Sequence, residues 1–315
     1  MKKITEQLNI KFDKAICYSG FREGQSPEAG IFPTYEQVKE DLLILQGQWK
    51  YLRLYACDEQ SDTVLEVIRN EKLDFQVMLG AYIGAEMNNF ACPWGGVYSE
   101  GQLIANKEHN INQVEKLIKL ANQYSDIVFA LSAGNEATVS WTDHYVPVES
   151  VIRYVKIIKK GAKQPVTFCE NYVPWLDHIK DLVEVVDFIS IHTYPVWEYK
   201  NIHEALEYTK QNYYSIAERY PHKPVVITEA GWATNSNGRG IDPENVSEDL
   251  QAVYYQDLMK WTEEEEILCF YFEAFDESWK GSPEPMEPEK HWGLFNLERE
   301  PKKVMEKEFT QLIKA

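Results

Sequence analysis

Short apolar or alternating runs recur along the chain at residues 15–18, 51–55, 75–79, 127–132, 166–169, 186–192, 225–228 and 267–272. Between them lie stretches whose apolar positions repeat every three or four residues, such as 38–45, 114–121, 151–158 and 202–217. The runs have the character of buried strands, and the longer periods that of amphipathic helices. Their alternation predicts parallel strands joined by right-handed crossovers. Eight such strands, with a closing helix near 304–313, predict an α/β fold: a single (β/α)8 TIM barrel spanning residues 1–315 as one domain. The rival is an open doubly wound sheet, whose usual nucleotide signatures, GxGxxG or a P-loop, do not occur here. No Gly/Ser/Pro-rich linker divides the chain, and the acidic run 263–266 reads as a solvated helix end.

Charge narrows the choice of partner. Asp and Glu number 50 against 32 Lys and Arg, leaving −18, a surface that repels nucleic acid and anionic lipid. With 44% hydrophobic residues the chain can still fill a sizeable core. Its longest apolar run, near 267–272, is far below the ~20 residues of a membrane span, so no membrane insertion is expected. The amino terminus, MKKITEQLNIKFDKA, has a basic start but polar Thr5, Glu6, Gln7 and Asn9 in place of a signal peptide's apolar core. A cytoplasmic address is the expectation, with a secreted or periplasmic one as the alternative. The five cysteines, Cys17, Cys57, Cys92, Cys169 and Cys269, are odd in number and scattered, which predicts reduced and mostly buried thiols. No CxxC or Cys/His cluster suggests a metal, no cofactor is expected, and protein partners are left open by the sequence.

In a barrel of this kind active sites form at the carboxyl ends of the strands. The fourth run, IVFALSAGNEA, brings Asn135 and Glu136 to such an end, and the seventh, PVVITEAGW, brings Glu229. Alternation places Val225, Ile227 and Glu229 on one face, so Glu229 points toward the barrel axis. A carboxylate that ends an apolar strand is costly unless paired or used. One alone reads equally well as a salt-bridged strand end. Two at one barrel mouth match the arrangement glycoside hydrolysis needs, one carboxyl protonating the leaving oxygen while the other attacks or activates water.

The motifs AICYSGFREGQSP, RLYACD, SAGNEA, VITEAGW, FYFEAFDESWK and EKHWGLF together resemble glycoside hydrolase family 17, from the first strand to the eighth. That family contains β-1,3-glucanases, lichenases and glucan transglycosylases. The resemblance implies Glu136 as acid/base and Glu229 as nucleophile, with retention of configuration. It also implies Asn135 as a partner of the sugar 2-OH, with Tyr18 and Arg53 near the nucleophile. Arg53 faces the same way as Tyr55, and a guanidinium beside Glu229 would hold it ionised. Glu277, Lys280 and Glu289 match the family's charged group after the eighth strand, where they would place charge beside the acid. Ala133 stands where the family often has Val or another apolar residue, and Ala230 and Glu273 depart from the plant pattern, which brings the chain nearer to bacterial and fungal members.

Nine Trp and 19 Tyr are a rich supply of faces for the C–H sides of pyranose rings. Trp141, Tyr172, Trp175, Tyr194, Trp197, Trp232, Trp279 and Trp292 fall at strand ends or in the loops that follow. Tyr194 and Trp232 are the leading candidates for contact with sugar, and His192 reads as a hydrogen-bonded barrel histidine. The long segment 81–107 is placed to wall off one end of a cleft, which favours short or chain-end substrates. The sequence thus predicts a retaining hydrolase acting on β-1,3-glucan or laminari-oligosaccharides. A transglycosylase on the same carboxylates and a non-catalytic glucan-binding barrel are the alternatives.

Overall fold

The computed structural model describes residues 3–8 and 10–313; Lys2 and Asn9, which figured in the reading of the amino terminus, and the ends of the 1–315 span lie outside them. Eight parallel strands close into a barrel in sequence order. They are β1 (Ala15–Cys17), β2 (Tyr51–Leu54), β3 (Gln76–Gly80), β4 (Val128–Asn135), β5 (Val166–Asn171), β6 (Ile189–His192), β7 (Val225–Ala230) and β8 (Cys269–Tyr271). A short helix α1 (Ile4–Leu8) precedes the barrel. Then α2 (Tyr35–Leu45), α3 (Glu59–Glu71), α4 (Glu100–Gln123), α5 (Val148–Gly161), α6 (Tyr172–Leu176), α7 (Ile202–Ala217) and α8 (Glu248–Glu265) follow β1 to β7 in turn. This is the (β/α)8 TIM barrel that the alternating pattern predicts.

Most outer helices start where the sequence supplies a side-chain cap; α5, preceded by Pro147, does not. Thr34 with Gln37, Ser99 with Gln102 and Asn201 with Glu204 form capping boxes at α2, α4 and α7, each satisfying backbone N–H groups that have no partner inside the helix. Each helix then buries one stripe, as α2 does with Val38, Leu42 and Leu45. All five cysteines are free and buried. Among the described residues no helix is long and apolar enough to cross a membrane.

The expected closing helix over 304–313 is not formed. Residues 303–308 make turns, and only Thr310–Leu312 make a 3-10 turn. The apolar residues there serve separate contacts instead. Phe309 stacks on Trp49 at 6.4 Å and meets Phe295 edge-on at 5.0 Å. Lys302 ties the start of the segment to Asp276 at 2.7 Å and Thr234 at 2.8 Å. Apolar spacing alone resembles a helix where the chain instead packs on Trp49, just before β2, and on the loop after β8. The 81–107 segment divides into a loop over 81–99 and the start of α4. That loop docks on the loop after β4, where the Glu86 N–H donates to the Tyr145 carbonyl at 2.9 Å.

Candidate active site

At the carboxyl end of β4 the backbone leaves regular strand geometry. Gly134 has φ +123°, and a Cβ there would fall 2.6 Å from Ile83 Cδ1, so a side chain at this position would clash. Register against β5 shifts between Ser132 and Asn135, a bulge that re-aims the residues beyond it. Glu136 follows in the left-handed region at φ +45°, a conformation costing a non-glycine residue about 1–3 kcal/mol. Its N–H donates to the Cys169 carbonyl at 2.9 Å, which holds the turn. β6 and β7 also shift register, between Ile191 and His192, before Glu229.

These ends converge on one cluster. His192, fully buried, places Nδ1 2.7 Å from Glu136 Oε1 and 3.3 Å from Glu229 Oε2. Arg53 Nη1 lies 2.5 Å from Glu229 Oε1, and the Tyr194 hydroxyl donates to Glu229 Oε2 at 2.6 Å. Arg53 also donates to the Asn135 side-chain oxygen, to the Tyr55 hydroxyl at 3.1 Å and to the Thr228 carbonyl at 3.1 Å. Glu229 is buried, whereas the Glu136 side chain is 29% exposed. Behind Asn135, His144 Nε2 meets its carbonyl at 2.9 Å while Nδ1 meets Asp143 at 2.8 Å.

The electrostatics follow from this wiring. Burial alone would favour the neutral acid at Glu229, but His192, Arg53 and Tyr194 outweigh it and hold the carboxyl below its ordinary range. Burial would neutralise His192, yet Glu229, Cys169 and Glu136 raise the imidazole to about 10. The Cys169 thiol, opposed by burial, is brought down to about 7 by Arg53 and His192. Glu170, buried beside them, is pushed up to about 7 by burial and then by the charge of Glu136. Glu289 is likewise raised to about 7, by burial first and by neighbouring carboxylates against the pull of Lys280.

Glu136, Asn135, Glu229, Arg53 and Tyr194, singled out from sequence, are therefore brought together. Glu277 and Lys280 form a second buried cluster with Glu273. Lys280 Nζ lies 2.8 Å from Glu273 and 2.6 Å from Glu277, and Ser19 donates to Glu277 at 2.5 Å. Glu289 feels the charges of Glu136, Glu229 and Lys280.

Two expectations fail. Tyr18 does not lie near Glu229: its hydroxyl donates to Asp41 at 3.1 Å, in a cluster with Arg299. The side chains of a strand alternate, and on β1 it is Cys17 that points inward, its thiol reaching the Thr228 carbonyl at 3.3 Å. Tyr55 stands where Tyr18 was expected. Trp232 does not face a sugar either. Its ring is 0% exposed and packs on Tyr254 at 5.3 Å, and its N–H is bonded to the Asn245 carbonyl. Trp175 and Trp292 are equally enclosed, and Trp292 backs Tyr194 at 5.1 Å.

One oxygen or nitrogen each of Glu136, His192 and Glu229 lies within 4.8 Å of the others, a spacing that also suits a metal ion. The arrangement already supplies its own cations, however, because Arg53 faces Glu229 Oε1 while His192 faces Glu229 Oε2 and Glu136 Oε1. A cation added between them would meet like charge. The chemistry it suits is that of one buried, ionised carboxylate and one partly exposed carboxyl across a narrow gap.

Comparison with known proteins places the chain among glycoside hydrolases. The BtgE/BtgC glycoside hydrolase domain matches residues 15–293. A probable glucan endo-1,3-β-glucosidase of Aspergillus clavatus is 25% identical over 79% of this chain and 36% of its own length. A glucan 1,3-β-glucosidase of Arthroderma benhamiae is 22% identical over 90% of this chain and 88% of its own length. The chain thus spans little more than a third of the Aspergillus relative. Among solved structures, an endo-laminarinase from Formosa Hel1_33_131 superposes with a TM-score of 0.83 at 26% identity, covering 98% of this chain and 90% of that one.

Proposed function

This chain belongs to the BtgE/BtgC glycoside hydrolase family, and from that premise we propose that it cleaves β-1,3-glucosidic bonds in glucan or laminari-oligosaccharides by a retaining double displacement. The finer assignment to glycoside hydrolase family 17 is part of the same reading. The linkage is supported by the relatives named for β-1,3-glucan and by the Formosa endo-laminarinase. The mechanism rests on one observation: the nearest atoms of Glu136 and Glu229 lie within 4.8 Å. Retaining enzymes set their carboxyl groups about 5–5.5 Å apart, while inverting ones leave about 6.5–9.5 Å for a water.

Glu229, ionised and buried, attacks the anomeric carbon as Glu136 protonates the departing oxygen. Glu136 then takes a proton from the water that releases the glycosyl-enzyme. Tyr194 and Arg53 aim the two oxygens of Glu229, and Asn135, fixed by Arg53 and His144, faces the sugar beside them. Aromatic residues at the rim supply faces for further sugars.

Paired variants test the roles. Glu229→Gly should lose hydrolysis of ordinary glucans but couple an α-glucosyl fluoride donor, whose fluorine mimics the lost intermediate. Glu136→Ala should keep turnover of activated aryl glucosides, which need little proton donation, and azide should displace Glu229 from its glycosyl-enzyme to give a β-glycosyl azide. An α-glycosyl azide from Glu136→Ala, or rescue in the opposite pattern, would reverse the two roles. A rapid viscosity fall with long β-1,3-glucan would rule out a preference for chain ends.

A further inference from the structure

The roles above require a proton on Glu136 when the glycosidic oxygen departs, and the same carboxylate lies 2.7 Å from a buried imidazole. We propose that His192 is a positioning residue that stores this proton, sharing it with Glu136 along the Nδ1···Oε1 contact. The proposal rests on the reading of Glu136 as acid/base. It follows from where the strands place their ends: β6 sets His192 between the carboxylates delivered by β4 and β7.

Every charged or titratable group around His192 bears on its proton. Glu136 comes from the end of β4 and Glu229 from β7. Cys169 comes from β5, and Arg53 of β2 and Tyr194 beyond β6 both bind Glu229. Glu170 of β5 faces Glu136. With two carboxylates adjacent, the charged ring is the favoured form, and His192 stays charged to about 10.

One proton is then accounted for through the whole cycle. At rest it sits on Nδ1, with Glu136 and Glu229 both ionised. It passes to Glu136 Oε1, leaving neutral imidazole, and from there to the glycosidic oxygen as the C–O bond breaks and the bond from Glu229 to the anomeric carbon forms. In the second step Glu136 removes a proton from water as the water oxygen bonds to that carbon and Glu229 leaves. The proton returns to Nδ1. The sum is one glycosidic bond and one water converted to two hydroxyl groups, with the enzyme unchanged.

The geometry gives a test whose sign separates this from mere support. If the reactive state is the pair with one proton, the alkaline limb of kcat/KM reports loss of the proton from that pair. His192→Gln removes the site that holds that proton, and the limb should move down by about two pH units or more on laminari-oligosaccharides. If His192 only supports a carboxyl that is already protonated, removing its positive charge should move the limb up. An upward or null shift overturns the proposal. Should His192→Gln fail to fold, nitrogen NMR of the imidazoles in the wild-type protein decides the question. His192 is expected to remain charged above pH 8, and a neutral ring at pH 6–7 sinks the idea. That titration needs no substrate. A chain inactive on β-1,3-glucans would therefore refute the substrate reading and leave this question separately decided.

Discussion

The barrel mouth holds two buried clusters that look alike and behave oppositely. Glu136 and Glu229 share His192, and Glu229 also pairs with Arg53, so two carboxylates face two cations. Glu273 and Glu277 share Lys280, their one ion-pair partner among the described residues, so two carboxylates face one cation. In the first, opposite charge overcomes burial and Glu229 is held ionised. In the second, burial and the neighbouring Glu277 outweigh Lys280, and Glu273 is pushed well above the ordinary carboxyl range. The ratio of cations to carboxylates decides which way a buried carboxyl goes. Access differs as well. Glu136 reaches solvent, whereas Glu273 and Glu277 are enclosed and Lys280 nearly so. The first environment suits the nucleophile role proposed for Glu229, and the second ties the loop after β8 to the end of β1 through Ser19.

The comparison breaks most directly at Arg53. Arg53→Met would convert the first cluster into a copy of the second, with two carboxylates and one cation. Removing one partner of a buried pair costs about 3–5 kcal/mol, and urea unfolding at pH 7 should show a loss of that size. Wild-type Glu229, held low, lends stability above its unfolded value that disappears as pH falls through the folded one. The variant should lose that dependence, and the acid limb of kcat/KM should move to higher pH as Glu229 becomes easier to protonate. An unchanged acid limb would show that Arg53 does not set the charge of Glu229.

Lys280→Met removes the one cation of the second cluster. Glu273 and Glu277 are then left facing each other without a counter-ion, and the loss is again about 3–5 kcal/mol where both are ionised. Protonation relieves it. The deficit should be largest near pH 8 and shrink toward pH 5, as measured by thermal unfolding across that range. A deficit independent of pH would mean that Lys280 matters through packing against Phe272, which it overlies at 4.6 Å.

How much of this was legible beforehand varied with how local the signal was. The strands announced themselves through apolar runs, and Glu136 and Glu229 stood out because they end such runs. Arg53 could be read because inward and outward residues alternate along β2. The same rule applied to β1 would have turned Tyr18 outward and Cys17 inward, as found. Trp232 shows a different limit, since an aromatic ring beside a strand end looks the same whether its face meets solvent or Tyr254. Glu170 and His144 carried no sequence signal. Each gains its place from partners in another part of the chain, Thr138 for Glu170 and the Asn135 carbonyl for His144. The missing closing helix is the same lesson, because Phe309 is claimed by Trp49 rather than by its own turn.

The smallest effect sharpens the comparison from the other side. Glu273→Gln would give the second cluster one carboxylate and one cation, the balance of the first. Glu273 binds its proton more tightly when folded than when unfolded. Its contribution to stability is therefore complete below the unfolded carboxyl value of about 4.3 and is lost as pH rises. Glutamine cannot lose a proton, so the variant escapes that loss, while Lys280 keeps its contact with Glu277. Near pH 5 the amide should be close to neutral or slightly worse, because it offers Lys280 one acceptor in place of two. Toward pH 9 the variant should become the more stable form, by about 1 kcal/mol or somewhat more, as isosteric relief of buried charge often allows. Urea unfolding at the two pH values checks the crossing. A variant less stable than wild type at both would mean that Glu273 is ionised throughout, and that one lysine suffices for two buried carboxylates.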